Sequence, residues 1–352
     1  MNPAPRRPVL RSLEALRGMA ALGVVIHHAF GMAGLPWHYG RTFLGNASLA
    51  GQLGVDVFFV LSGFLMAWTN PREGCGGGNI WKYAVRRFCR IYPFYWVVCA
   101  LYFPAHYLLR KANGMEGFGW GEAVSSLLLL PWERDPLLGV AWTLRFEVMF
   151  YLLFIPFLVQ RRLGWAVWSV LGVLAIGSAW SGAVLRSPWL QQMLSLRSLE
   201  FLAGVGVAVL VERGWFRGRA RWVLAGGMLL LAAGGWLEVR HGAAAGSWRW
   251  LLHGLAAALV VAGLVGWEQQ GLAVPGWLGL LGSCSYGVYL VHMPVQEWLF
   301  MNAGHWPGRA AEWALPVTVV VGLLSLAAGV VASLLVEKPL LRWCRRVMES
   351  AS

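Results

Sequence analysis

Arg17 and His28 stand eleven residues apart in a run of small and aliphatic side chains, and His27 is the only other ionisable group between them. At about 100° per residue such a step returns to within about 20° of the same helical face, three turns and about 16 Å further on. A neutral imidazole suits general-base work near pH 7. An arginine at the mouth of the same face can hold an anion. The same spacing also suits an anchoring arginine and a histidine hydrogen-bonded between helices. His27 points about 100° away.

Other polar residues interrupt apolar segments. Asp56 opens the run Gly54-Val55-Asp56-Val57-Phe58-Phe59-Val60-Leu61-Ser62-Gly63-Phe64, where an acid wants a cation or an imidazole as partner, or outer water. Ser62-Gly63 reads as small-residue helix packing rather than as a nucleophile. Arg86, Arg87 and Arg90 precede the next apolar run, in Arg86-Arg87-Phe88-Cys89-Arg90-Ile91-Tyr92-Pro93. Arg87 and Arg90 share a helical face, and guanidinium forks match phosphate oxygens. Anchoring at a lipid head-group layer is the other reading. Glu147, in Trp142-Thr143-Leu144-Arg145-Phe146-Glu147-Val148-Met149-Phe150-Tyr151, sits where a helix dipole favours an acid and where it could orient a histidine or a hydroxyl. Ser285, Tyr289 and His292 form a stripe along one helix face. Glu337-Lys338-Pro339 ends the last apolar run. Pro339 is expected to stop that helix, and Glu337 to pair with the arginines if the helices adjoin.

The elements that hold these groups follow from composition. The 352 residues are 58% hydrophobic and 13% charged, with mean hydropathy +0.58. An ordinary soluble domain has about twice that charge, so two soluble surfaces could not be covered. The 22 Trp, 16 Phe and 9 Tyr exclude disorder. Five scattered cysteines without a CxxC indicate neither a disulfide framework nor a zinc site.

A spanning helix needs about 20 mostly apolar residues. The expected spans are 18–34, 51–69, 91–109, 144–160, 165–180, 198–211, 222–239, 250–267, 277–299 and 313–336, an all-α bundle of about ten transmembrane helices. Leu128–Leu130 before Pro131 is too short to span and reads as re-entrant or interfacial. With both termini cytoplasmic, the basic clusters at Arg6–Arg17, Arg72–Arg90, Arg161-Arg162, Arg213–Arg221 and Lys338–Arg346 alternate with poorer loops, as the positive-inside rule requires. The net charge of +13 is therefore topology, and nucleic acid is excluded as a partner. The first span is a retained helix rather than a signal peptide, because histidines and glycines interrupt it and more spans follow. Residues 1–352 read as one integral-membrane domain, with cytoplasmic tails at 1–12 and 340–352 and residence in the inner (plasma) membrane.

Six ordered blocks carry a resemblance from Leu13 to Pro339: Leu16-Arg17-Gly18 with Ala20-Ala21 and His28, Gly54–Phe64, Arg87–Pro93, Trp142–Tyr151, Ser285–His292, and Glu337-Lys338-Pro339. Together they resemble the integral-membrane acyltransferase-3 family of O-antigen and exopolysaccharide O-acetyltransferases. The resemblance implies transfer of an acyl group, usually acetyl from acetyl-CoA, to a carbohydrate hydroxyl. It maps Arg17 and His28 onto the family's Arg–His motif, Arg87 and Arg90 onto the motif associated with the acyl-CoA, and Tyr289, Leu290 and His292 onto a further block. Two departures stand out: Val148 where many members carry a second acid, and Arg145 where a small residue is common. The likeness is to stand-alone members, with no hydrolase-like domain after the tenth expected span.

The expected enzyme is an O-acyltransferase using acetyl-CoA as co-substrate and no metal. Its catalytic candidates are His28, Arg17, Glu147, Asp56 and His292, with Arg86, Arg87 and Arg90 holding the CoA. Asp56 or Glu147 would orient a histidine. Its partners would be the lipid bilayer, a carbohydrate or lipid-linked glycan and polysaccharide-assembly proteins. The loop Gly114–Gly139, with Trp120, Trp132, Glu133 and Asp135, could bind the sugar. A transporter or flippase for a glycan shares the aromatic bundle and the intramembrane charges. It would show two halves with matching broken helices, and no such halves are visible. A binding protein with dead chemistry would not need the Arg17/His28 pair.

Overall fold

The computed structural model describes residues 9–36, 38–40, 43–70, 77–112, 119–182, 185–242, 246, 248–303 and 312–350, without the side chains of 77–79, 105–112 and 303. Among them there are helices and no strands. In chain order they are α1 (Arg11–Ala33), α2 (Leu53–Thr69), α3 (Gly77–Ala112), α4 (Trp120–Leu127), α5 (Trp142–Leu153), α6 (Ile155–Val159), α7 (Arg161–Ser181), α8 (Pro188–Met193), α9 (Arg197–Glu212), α10 (Ala220–His241), α11 (Arg249–Glu268), α12 (Gly276–Ser283), α13 (Ser285–Ala303), α14 (Ala314–Ala332) and α15 (Lys338–Ser350). A 3₁₀ segment, Gly45–Gln52, leads into α2.

Helix α1 is central. It packs against α2, α11, α12, α13 and α14. Its buried positions are mostly small, including Ala15, Gly18, Ala20, Ala21, Ala29 and Ala33, and small residues let helix backbones approach closely. No side chain of α1 itself caps its start. Glu268 at the end of α11 does so in trans. Its carboxylate accepts the backbone N–H groups of Arg11 at 2.8 Å and Ser12 at 2.9 Å, and the Ser12 hydroxyl at 2.5 Å. That satisfies orphan donors and places negative charge at the positive end of the helix.

The pairing of α2 with α9 rests on two reciprocal glycines. A Cβ on Gly63 would collide with the Phe201 carbonyl, and one on Gly204 with the Val60 carbonyl. The expectation that Ser62-Gly63 serves packing is met at Gly63. Packed on the α9 side of α2, an aromatic core of Phe59, Phe150, Phe154, Trp168 and Phe201 fills the space toward α5, α6 and α7.

Seven helices are long and apolar enough to cross a membrane, or eight if the bent pair Gly276–Ser283 and Ser285–Asn302 is one span. The count of ten is therefore not reached among the described residues. The third expected span lies in α3, where Tyr92, Tyr95, Trp96, Tyr102 and two prolines lower the hydropathy. The sixth is α9, only 16 residues long and bearing Glu200. The ninth is broken at Cys284, where α12 and α13 meet at 64°. Pro339 does not stop the last helix. A π-helical turn, Ser333–Glu337, precedes it, and α15 continues to Ser350 where a tail was expected. The widened turn displaces the carbonyl that the proline ring would otherwise strike. Leu128–Leu130 follows the short helix α4, whose last carbonyls accept Tyr95, Trp96 and Tyr92 of α3. Arg6, Arg7, Arg72 and part of the Gly114–Gly139 loop lie outside the described residues.

The glycine crossing yields a test. Gly204→Leu forces α9 off α2 and should lower thermal stability in detergent by at least the 1–3 kcal/mol typical of overpacking. Gly206→Ala, whose added methyl meets nothing within 4 Å, should leave the melting temperature within a degree or two. Equal effects of the two changes would contradict the crossing.

Candidate active site

One cavity of about 110 Å³ opens between α1, α2, α3, α5 and α13. Arg17, Arg87 and Arg90 line it together with Glu147, Ser62, Thr143, Tyr151, Ser285, Tyr286 and Tyr289. Its apolar wall includes Val55, Phe58, Phe59 and Ile91. Small-molecule sites commonly measure 300–1,000 Å³, so this cavity is narrower than a site that encloses a whole ligand.

Each lining group is held by its own helix. On α3, Arg87 lies over the rings of Tyr83 at 5.4 Å and Tyr151 at 5.2 Å, and donates to the Thr69 hydroxyl at 3.5 Å. Its Nε has no hydrogen-bond partner. Arg90, one turn on, is committed to protein. Its Nη1 donates to Glu337 Oε1 at 3.1 Å, and its guanidinium lies over the Tyr286 ring. The expected pairing of Glu337 with the arginine cluster is thus present, through Arg90. The other Glu337 oxygen accepts the Gly287 N–H at 3.1 Å and the Ser333 hydroxyl at 2.6 Å. Arg86 is exposed and does not line the cavity. On the same wall, Glu147 accepts the Tyr151 hydroxyl at 2.5 Å and the Ser62 hydroxyl at 3.4 Å. Charged groups lining or bordering the cavity are thus three guanidiniums against Glu147 and Glu337, which leaves a surplus of positive charge.

The histidines lie deeper. His28 Nδ1 meets His292 Nε2 at 3.0 Å, and the two ring centroids are 5.1 Å apart. His292 is fully buried, and its Nδ1 donates to the Val288 carbonyl at 3.0 Å. Tyr289, in the cavity wall, is in ring contact with His292, and its hydroxyl pairs with Thr143 at 2.8 Å. So α13 carries a continuous stripe, with Ser285 and Tyr289 on the cavity and His292 against His28. Arg17 lines the cavity while His28 does not. They share a face of α1, at the two ends of this stripe. His27 faces elsewhere, against the Ser48 carbonyl at 3.0 Å.

Of the two acids expected to orient a histidine, Asp56 contacts one, and it lies outside this pair. Glu147 binds hydroxyls, and Asp56 lies 3.3 Å from Nδ1 of a different imidazole, His253 on α11. That contact opens a second buried polar network. His253 also lies 3.7 Å from Glu238, which pairs with Arg249 at 3.1 Å. Arg197 sits over the faces of Trp142 and Trp250, at 4.6 and 3.8 Å, and Glu200 is buried with neither carboxylate oxygen hydrogen-bonded. The sequence reading passed over Glu200, Glu238 and His253. Their signal was present, since each falls inside an expected span where an ionisable group is costly and needs a partner. Among the described residues no three His, Cys, Asp or Glu side chains are placed to hold a metal ion.

The family model described as an acyltransferase domain matches residues 10–337. The chain is 28% identical to acyltransferase MdmB of Streptomyces mycarofaciens, across 98% of this chain and 94% of that protein. It is 28% identical to exopolysaccharide production protein ExoZ of Rhizobium meliloti (strain 1021), across 85% and 92%. Nodulation protein 10 of Rhizobium leguminosarum bv. viciae is 26% identical, across 94% and 93%. No solved structure matches.

The Arg90–Glu337 bond gives a prediction about the cavity wall. Glu337→Ala strands a largely enclosed guanidinium and two further donors. It should cost about 3 kcal/mol, the lower end for a broken buried pair, because Arg90 keeps some exposure. Removing both partners, in Arg90→Met with Glu337→Leu, should cost less than Glu337→Ala alone. A thermal double-mutant cycle in detergent checks this, and additive losses would deny the pair its coupling.

Proposed function

The chain belongs to this acyltransferase family and is a multi-pass membrane acyltransferase; we propose that it moves an acetyl group from acetyl-CoA to a hydroxyl of a cell-surface or lipid-linked carbohydrate, in the plasma membrane. The observation that carries the reading is the arginine-lined cavity whose Tyr289 wall touches His292, and through it His28. A surplus of guanidinium at the mouth suits the phosphates of a CoA. The narrow interior suits a thioester arm. The imidazole beyond suits removal of a proton from an alcohol.

Arg87 is the cation best placed to take a phosphate, because its bonds to protein are a long contact to Thr69 and two ring faces. Arg90, held by Glu337, shapes the wall beside it. Arg17 guides the arm inward from the same mouth. His28 takes the proton of the acceptor hydroxyl as its oxygen attacks the thioester carbonyl. The C–O bond forms, the C–S bond breaks, and the proton passes from His28 to the CoA thiolate. The balance is one ester and one free CoA per thioester consumed. The names acyltransferase and exopolysaccharide production protein, borne by two relatives, support a carbohydrate-type acceptor. The Arg87 end would face the cytoplasm, where acetyl-CoA is made. Exposed Trp120 and Trp132, on the far loop, would offer stacking faces to a sugar.

Purified protein incubated with radiolabelled acetyl-CoA and a membrane glycolipid extract tests this. Label should pass to the extract with wild type. His28→Ala should lose at least a hundredfold in turnover while remaining monodisperse and helical. Arg87→Ala should raise the KM for acetyl-CoA roughly tenfold, about 1.4 kcal/mol, with a smaller change in kcat. Retained turnover in His28→Ala would sink the base assignment. No consumption of acetyl-CoA by wild type would remove acetyl-CoA as donor.

A further inference from the structure

Val288 offers His292 only a carbonyl, and a carbonyl can only accept. The 3.0 Å contact from His292 Nδ1 therefore requires a proton on Nδ1. A neutral His292 then has a bare Nε2. The atom it faces, His28 Nδ1 at 3.0 Å, must supply the proton of that bond. Neutral His28 is left with its lone pair on Nε2. The order of these steps is fixed by which atoms can donate, and it runs from a backbone carbonyl to the base. We propose that His292 is a positioning residue which holds His28 in its Nδ1–H tautomer and aims His28 Nε2 as the proton acceptor of the acyl-transfer reaction. The base assignment of His28 belongs to the function proposed above, on which this inference rests; the tautomer does not depend on it.

Accessibility separates the two roles. His292 is fully buried with both ring nitrogens engaged, so it cannot itself meet a substrate. His28 is half-buried and spends only Nδ1 on the pair. Once His28 has accepted a proton, its Nδ1–H still points at a lone pair. The imidazolium is thereby stabilised by a strengthened hydrogen bond, as an acid does in a serine hydrolase triad. This site performs the task with a neutral partner. That fits its surroundings, because an unpaired carboxylate would be costly there.

The groups facing the pair are few. On α1 they are His27, 5.0 Å away between ring centroids, and the Val24 carbonyl one turn behind His28. Val24 stands to His28 as Val288 does to His292, and an acceptor in that position also favours a proton on Nδ1. On α13 there are Tyr289 and the Val288 carbonyl. Phe58 of α2 and Leu326 and Val330 of α14, packed on the same turns, are apolar. The amide nitrogen of Gln296, one turn past His292, donates to the Val25 carbonyl and Ser325, and its side-chain oxygen has no partner. Among the described residues no hydrogen bond or ion pair joins a carboxylate to either ring.

The test uses the full-length protein in detergent, labelled with ¹⁵N at histidine, with His28 assigned by the signals lost in His28→Gln. At neutral pH His28 Nδ1 should resonate as a protonated nitrogen and Nε2 as a bare one. The reverse assignment would overturn the proposal whether or not acyl transfer is detected. In the radiolabel assay, His292→Leu should lower kcat at least a hundredfold with the KM for acetyl-CoA within threefold. His292→Gln, whose side-chain oxygen can accept the His28 proton, should recover at least tenfold of that loss. Unchanged turnover in His292→Leu, or no recovery in His292→Gln, would also overturn it. Absence of acetyl transfer by wild type would instead strike the proposed function, and the NMR result would stand by itself.

Discussion

A carboxylate inside an apolar bundle must be met by donors, and Glu337 is the group on which the arrangement depends. Only 1% of it is exposed, and it accepts from Arg90, the Gly287 N–H and Ser333. Those three donors lie on α3, on α13 and in the π turn after α14. Desolvating this acid without them would cost more than the bundle could tolerate, so the three segments are obliged to meet. Ser333 and Glu337 are the two ends of the π turn, and the chain continues past Pro339 as helix. Because Gly287 is five residues from His292, the carboxylate that fixes the arginine wall also sets the register of the helix that carries the buried imidazole.

That coupling explains how a cavity lined by cations can serve a base it does not contain. Arg17 and His28 are separated by about 16 Å along one helix, which suits a ligand with a charged head and a long arm rather than a compact one. The stripe Ser285–Tyr289–His292 runs along α13 beside that distance. A donor entering past the arginines would thus meet hydroxyls first and imidazole last. Arg90 contributes little free charge, because Glu337 already neutralises it; Arg87, stacked on two tyrosines, keeps its charge available. Two arginines one turn apart are therefore held differently: Arg90 is built into the wall, and Arg87 is the one whose charge no carboxylate among the described residues neutralises.

The helical class, the small-residue crossing at Gly63 and the single-face placement of Ser285, Tyr289 and His292 were legible in the sequence, because periodicity reports directly on faces. Partnerships were not. Asp56 wanted a cation or an imidazole, and sequence offered no means of choosing among eight histidines; tertiary packing chose His253. Glu147 was expected to orient a histidine or a substrate hydroxyl and meets the hydroxyl of Tyr151, four residues along its own helix, which spacing alone could have suggested. The meeting of His28 with His292 joins residues 264 apart, and nothing local in either segment encodes it.

The shortfall in membrane-spanning helices falls on elements that also carry polar groups of the two networks. Helices α3 and α9 fall below the length or apolarity of a simple span, and α12–α13 is bent. Those three carry Arg87 and Arg90, Arg197 and Glu200, and Ser285 with His292. These groups are not by themselves the cause, since α1 and α5 carry Arg17, His28 and Glu147 and still qualify as spans; a helix can give up apolar character where neighbours satisfy its polar groups. Helix α3 shows the exchange most plainly. Its tyrosines and tryptophan cost it apolar character, and they are the donors that cap α4 through the carbonyls of Ser126, Leu127 and Leu128. A helix that lipid would accept poorly by itself is thus made acceptable by the partners it serves.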